Sequence, residues 1–309
     1  MHVLGLPVGF FVALVAYILS SGPIVPKWDA VEFFAGEARW AAELRKIGLS
    51  VATMDIQHGQ QQDFMSPEGF VFAAKLLLEC KPGAVAHWAT VCSSWVPINF
   101  HTSGRTTQAP LGKWRQRMYV AEANVMVSRT GLLMLLGICL ATRFILEQPR
   151  ASLMPWHPRL EQIFHLAQCG GIHAVEHIST FMGSFGAPTP KPTILIGNVP
   201  WLCQLKRKLN RSEFTPNEDV VRYHIDQCGR KRFSGGKKLK ETQKYPSGYG
   251  FATASIILDA PIEIDPDEDG FNFTILENEG EWYRTSGAEH WLDAELGKVW
   301  KLLYTKHVK

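Results

Sequence analysis

The chain has 309 residues, of which 46% are hydrophobic and 20% charged, and a net charge of +3. That length and composition bury one sizeable core, so one large domain with appendages is expected, and the near-neutral balance names no partner. Six scattered cysteines (Cys80, Cys92, Cys139, Cys169, Cys203 and Cys228) include no C-x-x-C pair, which argues against a zinc ribbon, a thioredoxin-type site or a disulfide scaffold.

Val3 to Leu19 is an uncharged apolar run followed by Ser20, Ser21, Gly22 and Pro23. It is short for a membrane span and lacks the Lys/Arg-rich start of a secretory signal. A signal, a membrane anchor and an extra buried helix stay open as readings. Strand and helix patterns then alternate. Asp29–Ala35 reads as a strand running into Gly36, Glu37–Ile47 as a helix closed by Gly48, and Ser50–Ile56 as a strand that carries Asp55. A Gln-rich loop leads to Asp63. Ser66-Pro67-Glu68 then opens a helix to Cys80, with Ser at the N-cap and Pro in the first turn. Lys81-Pro82-Gly83 breaks that helix, Ala84–Val91 is a third strand, and a polar loop runs from Cys92 to about Lys113. A long helix follows to about Thr142; the Leu- and Met-rich stretch there reads as core rather than membrane. Phe144–Leu146 is a fourth strand, stopped by Glu147-Gln148-Pro149. Pro158–Gln168 is helical, and two strands follow near Ala174–Thr180 and Thr193–Ile196.

Strands alternating with helices mean βαβ units, hence an α/β fold whose mostly parallel sheet carries helices on both faces. In such sheets the ligand lies beyond the carboxyl ends of the strands. Gly36, Asp55, Asp63, Cys92 and Glu147 all fall at predicted strand ends or in the loops just after them. A glycine in the first strand–helix turn lets the backbone approach a ligand, and the helix behind it offers free N–H groups. Asp55 is placed to accept hydrogen bonds from a ribose, and Asp63 to receive an adenine amino group.

Five blocks in order extend this reading. They are VEFFAGEARWAAELRKIG (Val31–Gly48), GAVAHWATVCSSW (Gly83–Trp95), FILEQP (Phe144–Pro149), FGAPTPKPTILIGNVPWL (Phe185–Leu202) and YPSGYG (Tyr245–Gly250). Together they resemble the motifs of the cytosine-5 DNA methyltransferase superfamily, in a divergent branch like its phage and protist members. The resemblance implies a Rossmann-like class I fold that binds S-adenosylmethionine (SAM) through Phe34, Ala35, Gly36, Glu37, Asp55, Ile56 and Asp63. It makes Cys92 the nucleophile that adds to carbon 6 of cytosine, and Glu147 the acid at ring nitrogen 3. Ser93, Arg105, Lys191 and Thr193 are expected near the substrate base or its backbone. A base in duplex DNA has to be flipped out to reach such a site.

The sequence also departs from the family pattern. Val91 stands where a proline usually precedes the nucleophile, Ala38 where a second glycine is common, and Gln148 where Asn is usual. The paired arginines that follow the Glu motif are not recognisable. A non-catalytic relative that binds nucleic acid or a protein, and a methyltransferase with another substrate, are therefore the competing expectations.

The implied layout is an apolar leader over 1–22, a SAM-binding catalytic-type domain over 23–202, a basic insertion over 203–244, and a return to the core with a closing helix over 245–309. Cys203–Lys244 holds 12 Lys/Arg against 5 Asp/Glu, a balance that suits a polyanion. Arg207, Lys208, Arg230 and Arg232 are the expected phosphate contacts, with DNA favoured over RNA as partner. An intracellular place suits such a function, while the apolar leader leaves membrane or secretory routing open. In the tail, Asp265, Asp267 and Asp269 start like a calcium loop, but loop position 12 is Leu276 and no metal is expected. Asn210-Arg211-Ser212 and Asn272-Phe273-Thr274 are glycosylation sequons that matter only on a secretory route. Ala288–Tyr304 reads as a packing helix.

Overall fold

Alternating apolar residues build one sheet whose two faces bury separate cores. The computed structural model describes residues 24–169, 174–209, 221–225, 227–229, 231–235 and 244–259. The apolar leader, the tail from Pro261, both sequons' asparagines and Arg230 lie outside the described residues. The sheet strands are β1 (Trp28–Phe33), β2 (Val51–Met54), β3 (Cys80–Trp88), β4 (Arg143–Pro149), β5 (Glu176–Phe181) and β6 (Pro192–Gly197). Their order is β2-β1-β3-β4-β6-β5. β2, β1, β3 and β4 are parallel, and β6 runs antiparallel between β4 and β5. The fold is thus α/β, with a six-stranded, mostly parallel mixed sheet.

Successive side chains on a strand point to opposite faces, and the helices divide accordingly. Val31, Phe33, Ala86, Trp88, Phe144 and Leu146 face a core closed by α2 (Pro67–Leu78), α3 (Met118–Cys139) and α4 (Pro158–Cys169). Ala30, Val85, Ile145 and Leu195 face a second core under α1 (Arg39–Lys46) and α5 (Ser247–Asp259). The register partners Phe33 and Trp88 stack with ring centroids 3.9 Å apart. Burying each such ring contributes roughly 1.5–3 kcal/mol. Helix α3 is long and apolar enough to cross a membrane, yet 67% of its apolar window is buried in the protein. It is a core helix, as its sequence context predicts.

Local chemistry sets the boundaries. Ser66 caps α2 by accepting the Gly69 N–H at 2.9 Å, and Pro67 follows at the first position, where no N–H is needed. Gly69 is required, because a Cβ there would lie 1.9 Å from the Asp63 carbonyl oxygen. Four expectations are corrected. Glu147-Gln148-Pro149 does not stop the fourth strand: β4 runs through all three residues, because β6 pairs with them from Leu195 to Thr193. Lys81-Pro82-Gly83 does not separate helix from strand: β3 already starts at Cys80, pairs with Trp28, and shifts register before Ala30 meets Val85. β1 stops at Phe33, because Phe34 turns to a φ of 59°. β3 ends at Trp88, so the chain is already a loop from Ala89 to Cys92. Also unpredicted were helix α5, a one-turn helix over Phe100–Ser103 in the expected polar loop, and a hairpin of β7 (Val221–Ile225) and β8 (Lys231–Gly235) inside the basic segment. Arg232 stands in β8, opposite His224.

Candidate functional site

The chain leaves β1 for β2 on one side and returns through β3 on the other. The carboxyl ends of β1 and β3 therefore flank a switch point, where an open crevice forms in α/β sheets. The predicted site residues divide into two groups along this edge.

The first group follows β1 and β2. Phe34, Gly36 and Ala38 have φ of 59°, 53° and 51°. Only glycine adopts this left-handed region without cost; the two non-glycine residues store about 1–2 kcal/mol each. Strain of this kind persists where surrounding structure holds it, and it collects at ligand sites. Here the Gly36 N–H donates to Asp55 Oδ2 at 2.8 Å, and His58 Nε2 lies 3.1 Å from the Gly36 carbonyl. Asp55 Oδ1 accepts the Gln57 N–H at 2.9 Å. Each carboxylate oxygen thus carries one donor and keeps a second lone-pair direction. A Cβ built on Gly36 meets nothing within 4 Å, so the turn borders open space. Ala35 is buried, while Ile56 is 54% exposed and offers an apolar face next to Asp55. Glu37 is exposed and pairs with Arg39 at 2.8 Å and with Lys244; these cations hold its carboxyl below its ordinary range, Lys244 foremost. Asp63 caps a turn, its Oδ1 accepting the Met65 N–H at 2.9 Å.

The second group gathers around β4. Glu147 is buried on the face shared with α1 and α5. Its Oε2 accepts the Tyr245 hydroxyl at 3.0 Å, and Lys191 Nζ lies 3.5 Å from its Oε1. Lys191 also sits over the Tyr245 ring, 5.2 Å from its centroid, a cation–π contact. The half-buried Cys92 thiol feels both charges. Burial pushes it up to about 11, Glu147 adds to the rise, and Lys191 opposes it. Gln148 joins the two loops: its Nε2 donates to the Thr90 carbonyl at 2.7 Å, and its Oε1 accepts the Ser152 hydroxyl at 3.0 Å. The residue that departs from the expected Asn is therefore hydrogen-bonded at both ends of its amide, and it ties the end of β4 to the loop that carries Cys92.

Between these groups lies a buried polar layer that the sequence reading missed. Glu32 and His87 are register partners on β1 and β3, both fully buried. Glu32 Oε2 accepts the Ala41 N–H at 2.9 Å, so it caps α1 from beneath. Burial raises this carboxyl to about 8, against the opposing pull of that hydrogen bond. His87 Nε2 lies 3.1 Å from the Tyr249 hydroxyl, and its ring stacks on Trp40. Burial lowers the imidazole to about 3, so it is neutral. The available signal was a Glu and a His inside two otherwise apolar strands, DAVEFF and AVAHW.

Several expected contacts are corrected. Arg105 is not available to a phosphate. It is 1% exposed, stacks 3.3 Å from the Trp95 ring centroid, and spends five N–H bonds on Ser94 O and Oγ, Pro110 O, Asn124 Oδ1 and Val120 O. A guanidinium has only five donors, so Arg105 is the internal staple of the loop after Cys92. Thr193 is fully buried, and its hydroxyl donates to the Lys191 carbonyl at 3.0 Å. It thus holds Lys191 at a φ of 35° rather than facing a substrate. Ser93 is exposed beside Cys92, and its carbonyl accepts the Asn99 side-chain amide. Arg207 and Lys208 are exposed; the Arg207 guanidinium donates to the Gln204 carbonyl at 2.9 Å and lies 5.7 Å from the Phe185 ring centroid, and the Lys208 carbonyl accepts the Ser184 hydroxyl at 3.0 Å.

No protein-family model matches the chain, and no curated protein matches it.

Proposed function

We propose that the chain is a Rossmann-like, SAM-dependent methyltransferase of the cytosine-5 type, acting on nucleic acid and on DNA before RNA. The observation that carries this reading is the Glu147–Lys191 pair on the sheet edge that also holds Gly36 and Asp55, with the Cys92 loop tied to β4 beside it by Gln148. The strand order, with its switch point between β1 and β3, supports a nucleotide-type cofactor crevice. The residues present fit SAM: open space at Gly36, unfilled lone pairs on Asp55, and the exposed apolar face of Ile56. SAM, when bound there, supplies an electrophilic methyl group.

The chain's own residues then divide the work. Cytosine carbon 5 is a weak nucleophile, and addition of the Cys92 sulfur to carbon 6 turns the ring into an enamine. Glu147 stands at ring nitrogen 3 as the group that stabilises the charge that develops there. Gln148 keeps the Cys92 loop in reach of β4. A base removes the proton from carbon 5, and elimination returns the thiol.

One observation favours a second reading, in which the chain binds nucleic acid or a partner without catalysis. The resting thiol is pushed up to about 11, and a reactive cysteine ordinarily has a lowered pKa. Incubation with labelled SAM and DNA containing 5-fluorocytosine separates the two. The methyltransferase reading expects a covalent complex that disappears in Cys92→Ser. SAM binding without trapping favours a SAM-binding relative, and no SAM binding defeats the proposal.

A further inference from the structure

The buried layer between β1 and β3 leaves three polar atoms without a hydrogen-bond partner among the described residues: Glu32 Oε1, His87 Nδ1 and Trp40 Nε1. All three residues are fully buried. Three separate contacts make them neighbours. Glu32 and His87 are register partners, so their side chains leave the same face of the sheet about 5 Å apart. The His87 ring stacks on the Trp40 ring with centroids 4.8 Å apart. Glu32 Oε2 accepts the N–H of Ala41, the residue after Trp40 in α1, at 2.9 Å. Carboxyl, imidazole and indole thus close a triangle between the sheet and α1, and each brings one unspent polar atom to it.

A buried polar atom left without a hydrogen bond costs about 1–3 kcal/mol, and folded interiors settle such atoms with protein groups or with water. The surrounding polar side chains are committed elsewhere. The charges that reach Glu32 are those of Arg45 and Asp55, and the one that reaches His87 is that of Lys191. Arg45 donates to the Val51 carbonyl, Asp55 accepts the N–H groups of Gly36 and Gln57, and Lys191 pairs with Glu147. Tyr245 donates to Glu147, and the Tyr249 hydroxyl lies against the other imidazole nitrogen, His87 Nε2.

The balance of donors and acceptors says what fits. An indole nitrogen only donates. Burial keeps Glu32 protonated up to about pH 8. Its Oε2 accepts from Ala41, so the acid proton sits on Oε1. Two donors therefore face one imidazole nitrogen. A water molecule takes both donors on its lone pairs and passes a hydrogen to His87 Nδ1, about three bonds in all, the usual number for a buried water.

We propose that Glu32 Oε1, Trp40 Nε1 and His87 Nδ1 hold one internal water, which fixes His87 as its Nε2–H tautomer. The Nε2–H then donates to the Tyr249 hydroxyl. His87 is thereby a positioning residue for the candidate site. Its ring meets that of Tyr245 with centroids 5.3 Å apart and planes at 87°, and Tyr245 holds Glu147. The water ties the helix behind the Gly36 turn to the carboxylate on β4. The inference stands apart from the methyltransferase reading, since it uses neither cofactor nor substrate.

A high-resolution crystal structure of the full chain, grown at about pH 6 so that Glu32 keeps its proton, tests the site. One ordered water is expected about 2.7–3.2 Å from each of the three atoms. Long-range 1H–15N spectra of the 15N-histidine protein at the same pH should place the His87 proton on Nε2, which diffraction does not show. Glu32→Gln offers an amide N–H to the water and a carbonyl to the Ala41 N–H, and should keep both results. Glu32→Met offers neither; it should lose the water, mix the His87 tautomers and shift the 13C signal of the Glu147 carboxyl, which Glu32→Gln restores. A direct Glu32–His87 hydrogen bond, an unfilled triangle or a proton on Nδ1 overturns the proposal. An unmoved Glu147 signal removes the positioning role. The wild-type chain decides the water by itself, so an unfolded Glu32→Met leaves that test intact. The water with no 5-fluorocytosine trapping keeps this proposal and removes the methyltransferase; trapping with no water does the reverse.

Discussion

Tyr245 and Glu147 lie 98 positions apart in the chain, yet the tyrosine hydroxyl donates to the carboxylate at 3.0 Å in a buried setting. The segment that follows the basic insertion thereby returns to hold the candidate acid. Replacement of Tyr245 by Phe leaves a buried carboxylate oxygen without its donor, which ordinarily costs about 1–3 kcal/mol. Urea unfolding of Tyr245→Phe should show a loss of that size. A stability equal to wild type would mean that the hydrogen bond is not made in solution.

The Cys92 thiol gives a pair of opposite outcomes. Burial is the first cause of its rise to about 11, and the charges of Glu147 and Lys191 act in opposite senses. Alkylation by iodoacetamide, followed at Cys92 by peptide mass mapping, should be slow at pH 8 and climb about tenfold per pH unit toward pH 11, because the thiolate reacts. Glu147→Gln removes a negative charge and should speed alkylation at pH 8. Lys191→Met removes the positive one and should slow it. Equal rates in the two variants would show that these side chains do not reach the thiol.

Glu32 makes stability depend on pH. Its carboxyl is raised from 4.5 to about 8 in the folded chain, chiefly by burial. Between those values the folded state keeps a proton that the unfolded state has released. The contribution of Glu32 is therefore fully present below pH 4.5 and is lost as pH rises toward 8, at about 1.4 kcal/mol per pH unit at most. Glu32→Gln keeps an acceptor for the Ala41 N–H and cannot ionise. Chemical denaturation across pH 5–8 should give a flatter profile for the variant; parallel profiles would exclude Glu32 as the source.

Arg105 is expected to matter for folding and not for nucleic acid. Lysine cannot reproduce five fixed donors, and several buried carbonyls would lose their partner. Arg105→Lys should cost about 3 kcal/mol or more, visible as a lowered melting temperature. The salt slope of oligonucleotide binding, measured well below that temperature, should stay that of wild type.

Gly36 separates fold from ligand. A Cβ at this position meets no atom, so Gly36→Ala should cost only the left-handed backbone penalty, about 1–2 kcal/mol. The added methyl projects into the space proposed for SAM. Calorimetry should show SAM affinity reduced at least tenfold in a folded protein; unchanged affinity would place the ligand elsewhere.

The strand ends were legible because alternation of strand and helix needs only local patterns. Gly36, Asp55 and Cys92 were found by that route and follow β1, β2 and β3, whereas Glu147, read as the stop of the fourth strand, stands inside β4, which runs on to Pro149. Glu32 and His87 escaped because each stands within an apolar run that reads as buried strand, where the eye searches loops for chemistry. Their meaning depends on the Glu32–His87 register, which no local pattern encodes. Arg105 was misread for the opposite reason. Its Ser-Gly-Arg-Thr-Thr-Gln context looks solvated, while its acceptors come from residues 94, 110, 120 and 124. The Lys191–Glu147 pair required β6 to run against β4, a direction that a mostly parallel reading leaves out.

That reversed strand has one more consequence. β5 and β6 form a local hairpin, and its connecting residues Met182–Lys191 bury Met182, Phe185 and Ala187 in the core under α1 and α5. Exchange of the whole connection would therefore disturb the core under α5, where Phe185 packs on Tyr249. The hairpin is thus a strut rather than an exchangeable part: the segment that delivers Lys191 to Glu147 is held by the core itself, so change in it is constrained by stability as well as by what the edge binds.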